Sequence, residues 1–290
     1  MRRFEDFNPI ALTVYFLCAA GVVMFSMDPF LISVSLLGAF LCFVLDAGLT
    51  EWKTHFYTLI LFIVTAVINP IVSHNGKTVL FVLNDNPVTL ESCLYGLTAA
   101  GMIAGILYRF RSFSKIMTSD KLIYVLGALS PKLSLLISMS LRYVPLFGKQ
   151  VTKVSQAQKA LGLYKEDNVI DSVRAKTRIF SVMVTWALEN GIITADSMTA
   201  RGYGISRRTH FSLFRWTAGD VALTAFSLLL ASLTLFSSSR CGFVFYPSLE
   251  IPPFDFLRIS GLSSYFVLSV LPAIIRAKEA LKWRLLMSGI

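Results

Sequence analysis

Few side chains in this sequence are placed to do chemistry, and Arg201 has the most distinctive setting. It stands between Ala200 and Gly202, followed by Tyr203-Gly204, at the end of a stretch from about Asp171 to Met198 that reads as a helix. Gly202 suits the left-handed position just past a helix end, so Arg201 falls on the last turn. A guanidinium there offers a planar, two-pronged donor to a carboxylate, and small neighbours permit close approach. The plainer role is also physical: a cation in a last turn complements the helix dipole and the terminal carbonyls. Cys18, Cys42, Cys93 and Cys241 are scattered, as are His55, His74 and His210, with no metal-ligand or C-x-x-C spacing. Asn75-Gly76-Lys77-Thr78 looks like the close of a phosphate-binding loop, but the earlier glycine falls at Ile71. With no Ser/His/Asp or Cys/His constellation either, the residues point to a non-catalytic chain that binds no metal or cofactor of its own.

The elements that must position Arg201 are mostly apolar. Of 290 residues, 55% are hydrophobic and 15% charged, against roughly 45–50% and about 25% in an ordinary soluble domain. Six segments approach the roughly 20 apolar residues that a bilayer-spanning helix needs: 9–27, 29–49, 55–72, 88–108, 216–236 and 256–275. The expected fold is therefore an all-α, polytopic membrane protein of about six transmembrane helices. Its organisation reads as spans one to four in residues 1–108, a cytoplasmic or interfacial helical module in 109–215, spans five and six in 216–275, and a tail in 276–290. Arg2 and Arg3 precede the first span, yet Glu5 and Asp6 interrupt the basic region and a second span follows closely, so the first is expected to be a retained helix and not a cleaved signal.

Charge sets the orientation. The 27 basic and 17 acidic residues leave a net +10. Residues 121–215 hold fourteen basic and five acidic side chains, a balance of +9. Lys53, and Arg109, Arg111 and Lys115 after span four, fall on the same side as that segment, which the positive-inside rule makes cytoplasmic together with both termini. The excess is thus no sign of nucleic acid, for which a matching fold motif is also lacking. Within the segment, residues 122–147 are apolar enough to suggest another span. Lys132 would then sit near the midplane, so a broken helix at the interface is expected instead. Arg142-Tyr143-Val144-Pro145 reads as an interfacial anchor and helix stop, and Asn69-Pro70 as a helix kink or end. Lys149, Lys153, Gln156 and Lys159 recur at helical spacing, as on the polar face of a helix. Asp46, near the cytoplasmic end of span two, reads as interfacial.

The segment Thr194-Ala195-Asp196-Ser197-Met198-Thr199-Ala200-Arg201-Gly202-Tyr203-Gly204 resembles the second Ala-Arg-Gly signature of the transmembrane T component of energy-coupling factor (ECF) transporters. Met117-Thr118-Ser119-Asp120-Lys121, Leu141-Arg142-Tyr143-Val144-Pro145 and Asn69-Pro70 with His74 and Gly76 extend the resemblance. It implies a membrane scaffold in a prokaryotic plasma membrane that joins two cytoplasmic ABC-type ATPases, identical or different, to a substrate-binding S component. ATP and Mg would belong to the ATPases, and the complex would import vitamins or transition-metal ions. The resemblance assigns ATPase docking to Ala200, Arg201 and Gly202. Its first triplet corresponds to Ala160-Leu161-Gly162, with leucine where arginine is expected and Lys159 as a neighbouring point charge. Asn69, Pro70, Arg142 and Pro145 become candidates for S-component contact or helix packing. The competing class is a self-contained secondary transporter, which calls for paired ionisable groups or broken helices at the midplane of two similar halves. The sequence shows no such repeat.

Overall fold

A computed structural model describes residues 4–47, 51–73, 75–83, 86–162, 169–205 and 214–287. The side chain of Asp46, and the residues His74 and His210, lie outside them. The chain divides into two compact units, Met1–Lys121 with Phe214–Ile290, and Leu122–Leu213.

The first unit is a helical bundle: α1 (Pro9–Phe25), α2 (Pro29–Ala47), α3 (Trp52–Val72), α4 (Leu90–Ile116), α8 (Ala218–Arg240) and α9 (Phe256–Met287). α3, α4, α8 and α9 contain stretches long and apolar enough to cross a membrane, while α1 and the described part of α2 are shorter apolar helices. Asn8 starts α1 by accepting the Ile10 amide at 3.0 Å ahead of Pro9, whose missing N–H would be unpaired in a first turn anyway. Neighbours run in the order α3, α4, α2, α9, α8, α1, and α1 returns to touch α4. Close approach depends on small residues: a Cβ added at Gly38 of α2 would stand 1.9 Å from Ser269 Oγ of α9.

Contacts at the helix ends fix the directions. At one end, Lys121 Nζ donates to the Glu5 carbonyl at 2.6 Å, Lys115 pairs with Glu51 at 2.5 Å, and the Asn8 amide donates to Asp220 at 2.8 Å. At the other end, Arg258 pairs with Asp28 at 3.2 Å and Tyr95 packs against Phe245 with ring centroids 5.3 Å apart. Successive helices therefore alternate in direction. The described N-terminal turn and the later half of α9 share one end, where Arg276 stacks over Phe4 at 5.6 Å. The sequence reading gave no sign of a hairpin between α3 and α4, β1 (Val79–Leu83) and β2 (Asn86–Thr89), antiparallel with Val79 opposite Thr89. Residues 88 and 89, read as the start of span four, belong to it.

Boundaries also move. α4 continues to Ile116, past the expected end at 108, and α9 continues through most of the stretch read as a tail. Arg109 is not an exposed flanking cation: it lies inside α4, 5% exposed, with its Nη2 donating to Tyr265 Oη (2.9 Å), Ser269 Oγ (2.9 Å) and Ser35 Oγ (3.3 Å). It forms one buried stripe of α4 with Gly101, Gly105, Ser112 and Ile116.

The second unit holds most of α5 (Ser119–Leu129) together with α6 (Pro131–Ala160) and α7 (Val169–Ala200). Ser130 is extended (φ −150°, ψ 112°), the conformation that a following proline favours, so the helix breaks there and restarts with Pro131 in its first turn. After that break the sequence reading needs a second correction: Pro145 does not stop a helix. It lies inside α6, which runs unbroken to Ala160. α6 and α7 meet through the Tyr143 and Thr194 hydroxyls (2.8 Å) and the edge-on Phe147–Trp186 pair (5.4 Å). Val151 and Ser155 then face Ile179 and Met183 across a groove of ≈ 570 Å³. Higher numbers on one helix thus meet lower numbers on the other, and the pair is antiparallel.

Candidate functional site

The ends of α6 and α7 share a backbone design. Ala200 is the last residue of α7, Arg201 is the cap, and Gly202 follows at φ 81°. The Gly202 amide donates to the Thr199 carbonyl at 2.9 Å and the Tyr203 amide to the Met198 carbonyl at 3.0 Å. These two bonds make a Schellman closure, which requires the left-handed residue that glycine adopts without a Cβ clash. Ala160 likewise ends α6, Leu161 is the cap (φ −80°, ψ 1°) and Gly162 follows at φ 68°. The Gly162 amide donates to the Lys159 carbonyl at 3.0 Å.

Each cap side chain is held out from its helix. Leu161 is 73% exposed, Lys159, Ala160, Ala200 and Arg201 are exposed, and Gly202 is half-buried. Exposed Ile205 and Tyr203 follow Arg201. The two ends therefore differ mainly in what projects from the cap: an isobutyl group at one, a guanidinium at the other. The first can offer apolar contact and close backbone approach. The second can add a two-pronged, charge-assisted bond to a carboxylate or phosphate.

Because the helices are antiparallel, the two triplets lie at opposite ends of the pair. Ala160 is thirteen residues beyond Phe147 and Arg201 fifteen beyond Trp186. At 1.5 Å per residue each arm is about 20 Å long, placing the triplets roughly 40 Å apart along the pair. Between them, α6 and α7 expose Leu136, Val144, Phe180, Leu188, Ile192 and Ile193, each at least 56% exposed. This is far more apolar surface than a solvated helical pair ordinarily leaves uncovered.

The remaining sequence candidates are dispersed. Asn69 and Pro70 lie in the last turns of α3, where Gly96 of α4 comes so close that a Cβ on it would stand 2.9 Å from the Ala66 carbonyl and 3.0 Å from Asn69 Cβ. Their visible role is helix packing. Arg142 and Pro145 are exposed on α6 within the second unit. The loop read as a partial phosphate site already holds an anion: the Thr78 hydroxyl donates to the Glu91 carboxylate at 2.7 Å, and the Thr78 amide donates to it at 3.3 Å. Among the described residues, no three His, Cys, Asp or Glu side chains gather as a metal site would require. The sequence reading missed Phe147 and Trp186, whose ring contact joins the two arms. Their only signal was an aromatic on each of two amphipathic stretches.

The cobalt transport protein family model, CbiQ, matches residues 9–211, a range that includes both triplets. The energy-coupling factor transporter transmembrane protein EcfT 1 of Listeria monocytogenes is 29% identical over 168 residues, 56% of this chain and 57% of that protein. EcfT of Streptococcus thermophilus is 33% identical over 107 residues, 36% of this chain and 40% of that protein. EcfT of Bacillus subtilis is 30% identical over 107 residues, with the same coverage of 36% and 40%. The matched stretches thus span about two fifths to three fifths of these relatives.

Proposed function

The chain belongs to the cobalt transport protein family, and from that premise we propose that it is the T component of an ATP-driven energy-coupling factor importer. In this reading it is a non-catalytic scaffold in a prokaryotic plasma membrane, with both termini on the cytoplasmic side. It binds no ATP, Mg or other cofactor. Two ABC-type ATPases supply the hydrolysis, and a separate membrane protein, the S component, binds the vitamin or transition-metal ion. Residues 109–215 carry the coupling helices, and the cytoplasmic placement follows from the +9 balance of residues 121–215.

The observation that carries this reading is the pair of glycine-closed helix ends, exposed and roughly 40 Å apart on one antiparallel pair. Two such ends can engage two ATPases at once, so that a change in ATPase separation is felt by both arms. At α7, Ala200 and Gly202 admit close approach while Arg201 bonds a carboxylate in the ATPase groove. At α6, Ala160, Leu161 and Gly162 make an apolar contact, with the Lys159 charge one residue before the triplet. The two docking grooves are then chemically unequal, as two different ATPases would provide. The apolar faces of α6 and α7 are where the S component packs.

The test is to tag the protein, solubilise it gently and identify what co-purifies. Two ATPases and a small apolar membrane protein are expected. Arg201→Glu should insert normally and lose ATPase recruitment and ATP-dependent uptake. Normal uptake by that variant would sink the proposal.

A further inference from the structure

The groove between α6 and α7 is polar at one end only. Phe147 and Val151 on one helix and Ile179, Phe180, Met183 and Val184 on the other make its walls apolar. Its two polar members, Ser155 and Lys176, fall at the same end because the helices run antiparallel. Lys176 is exposed, and among the described residues it pairs with no carboxylate. Of the six apolar side chains found uncovered on this pair, Phe180 alone belongs to the groove; the other five lie beyond the Phe147–Trp186 ring contact. The groove is thus distinct from the surface assigned to the S component.

Its dimensions select the occupant. Phe147 to Ser155 and Lys176 to Ala187 are eight and eleven residues apart, about 12–16 Å of helix at 1.5 Å per residue. Spread over about 14 Å, a volume of ≈ 570 Å³ gives a cross-section of about 40 Å², roughly half or less of that of a helix 10–12 Å across. A partner helix is therefore too wide. An extended peptide would fit, but its N–H and C=O groups would find no partners between these apolar side chains, at a cost in free energy for each. A hydrocarbon chain is narrow and carries no such groups, and the unpaired ammonium at one end calls for an anionic head. We propose that the groove binds one acyl chain of an anionic phospholipid, with the phosphate against Lys176 and Ser155. The proposal rests on the T-component reading for the cytoplasmic placement of α6 and α7, the side on which the membrane surface carries anionic lipid. Ser155 is five residues from Ala160, so the lipid would tether α6 to the bilayer close to one of its two docking ends.

The experiment uses the full chain in its isolated complex, in phosphatidylcholine nanodiscs that contain a trace of phosphatidylglycerol with a photo-crosslinker on its acyl chain. Labelled peptides are mapped by mass spectrometry. Label should concentrate around Val151 and Met183, and a phosphatidylcholine probe of the same design should give about fivefold less, the effect of one lysine near an anionic headgroup. Lys176→Gln should bring the phosphatidylglycerol signal down to that level. Ser155→Trp, which fills the groove and keeps the charge, should remove the label there. Equal labelling by the two probes, or full labelling of Ser155→Trp, would overturn the proposal. Displacement by free palmitate as effective as by unlabelled phosphatidylglycerol would assign the groove to a fatty acid, and label appearing only once partner proteins are stripped away would assign it to a protein; either overturns it. The ATPases in the same preparation report the T-component reading separately: their retention without label in the groove would overturn this proposal alone.

Discussion

The ends of α6 and α7 are the same backbone carrying different chemistry. Each closes on a left-handed glycine, Gly162 or Gly202, after an alanine and an outward cap residue. Only the cap differs in kind, leucine at 161 and arginine at 201. Close approach to a partner surface depends on the alanine and glycine and is available at both ends. Two-pronged recognition of a carboxylate depends on the guanidinium and is available at one, the other having only the Lys159 point charge. Shape can therefore be shared by the two docking events while specificity is not.

The largest effect should come from erasing the difference. Arg201→Leu makes the two ends alike, and leaving a buried carboxylate of the partner unpaired typically costs about 2–5 kcal/mol. ATPase retention on the tagged protein should fall at least thirtyfold, roughly the lower bound of that range, with no change in membrane insertion. Leu161→Arg makes the ends alike in the opposite sense. Placing a guanidinium into an apolar groove should weaken retention of one ATPase by roughly tenfold, measured as the ratio of the two ATPases in the purified complex. Tighter binding by this variant would show that the grooves are equivalent. Smaller effects are expected from Gly162→Ala and Gly202→Ala, because a left-handed alanine costs about 1–2 kcal/mol. Hydrogen exchange in the last turns should rise to a similar degree in both, and a large asymmetry would break the claim of a shared backbone.

The smallest effect serves as a control in the compact unit that carries neither triplet. The Lys115 ammonium bonded to Glu51 holds that carboxyl below its ordinary range. Its stabilisation is therefore present above the ordinary carboxylate pKa and lost as pH falls through the lowered one. Glu51→Gln should slightly flatten the acid side of a pH–melting profile and leave ATPase retention untouched.

Much of this was legible in the sequence. Apolar run lengths located the bundle helices, and Gly202 with the preceding helical spacing located the end of α7. Pro145 misled because a proline is a local signal, whereas helix continuity depends on the turns either side of it, which run on to Ala160. Arg109 misled for a related reason. Its sequence neighbours Arg111 and Lys115 are exposed, but its neighbours at helical spacing, Gly105 and Ser112, are small and buried. That stripe was visible in the sequence and outweighs adjacency. The hairpin left no mark because Val79 to Leu83 is apolar on both faces and short.

Arg109 also carries a timetable. Its partner on α2, Ser35, is made before it, but Tyr265 lies 156 residues later in the chain and Ser269 160. At about 5–20 residues per second of synthesis, the guanidinium waits roughly 8–30 seconds for them. Until α9 arrives, α4 carries a charge that the bilayer disfavours and that only side chains made earlier, such as Ser35, can engage. α9 is thus the helix that lets α4 settle.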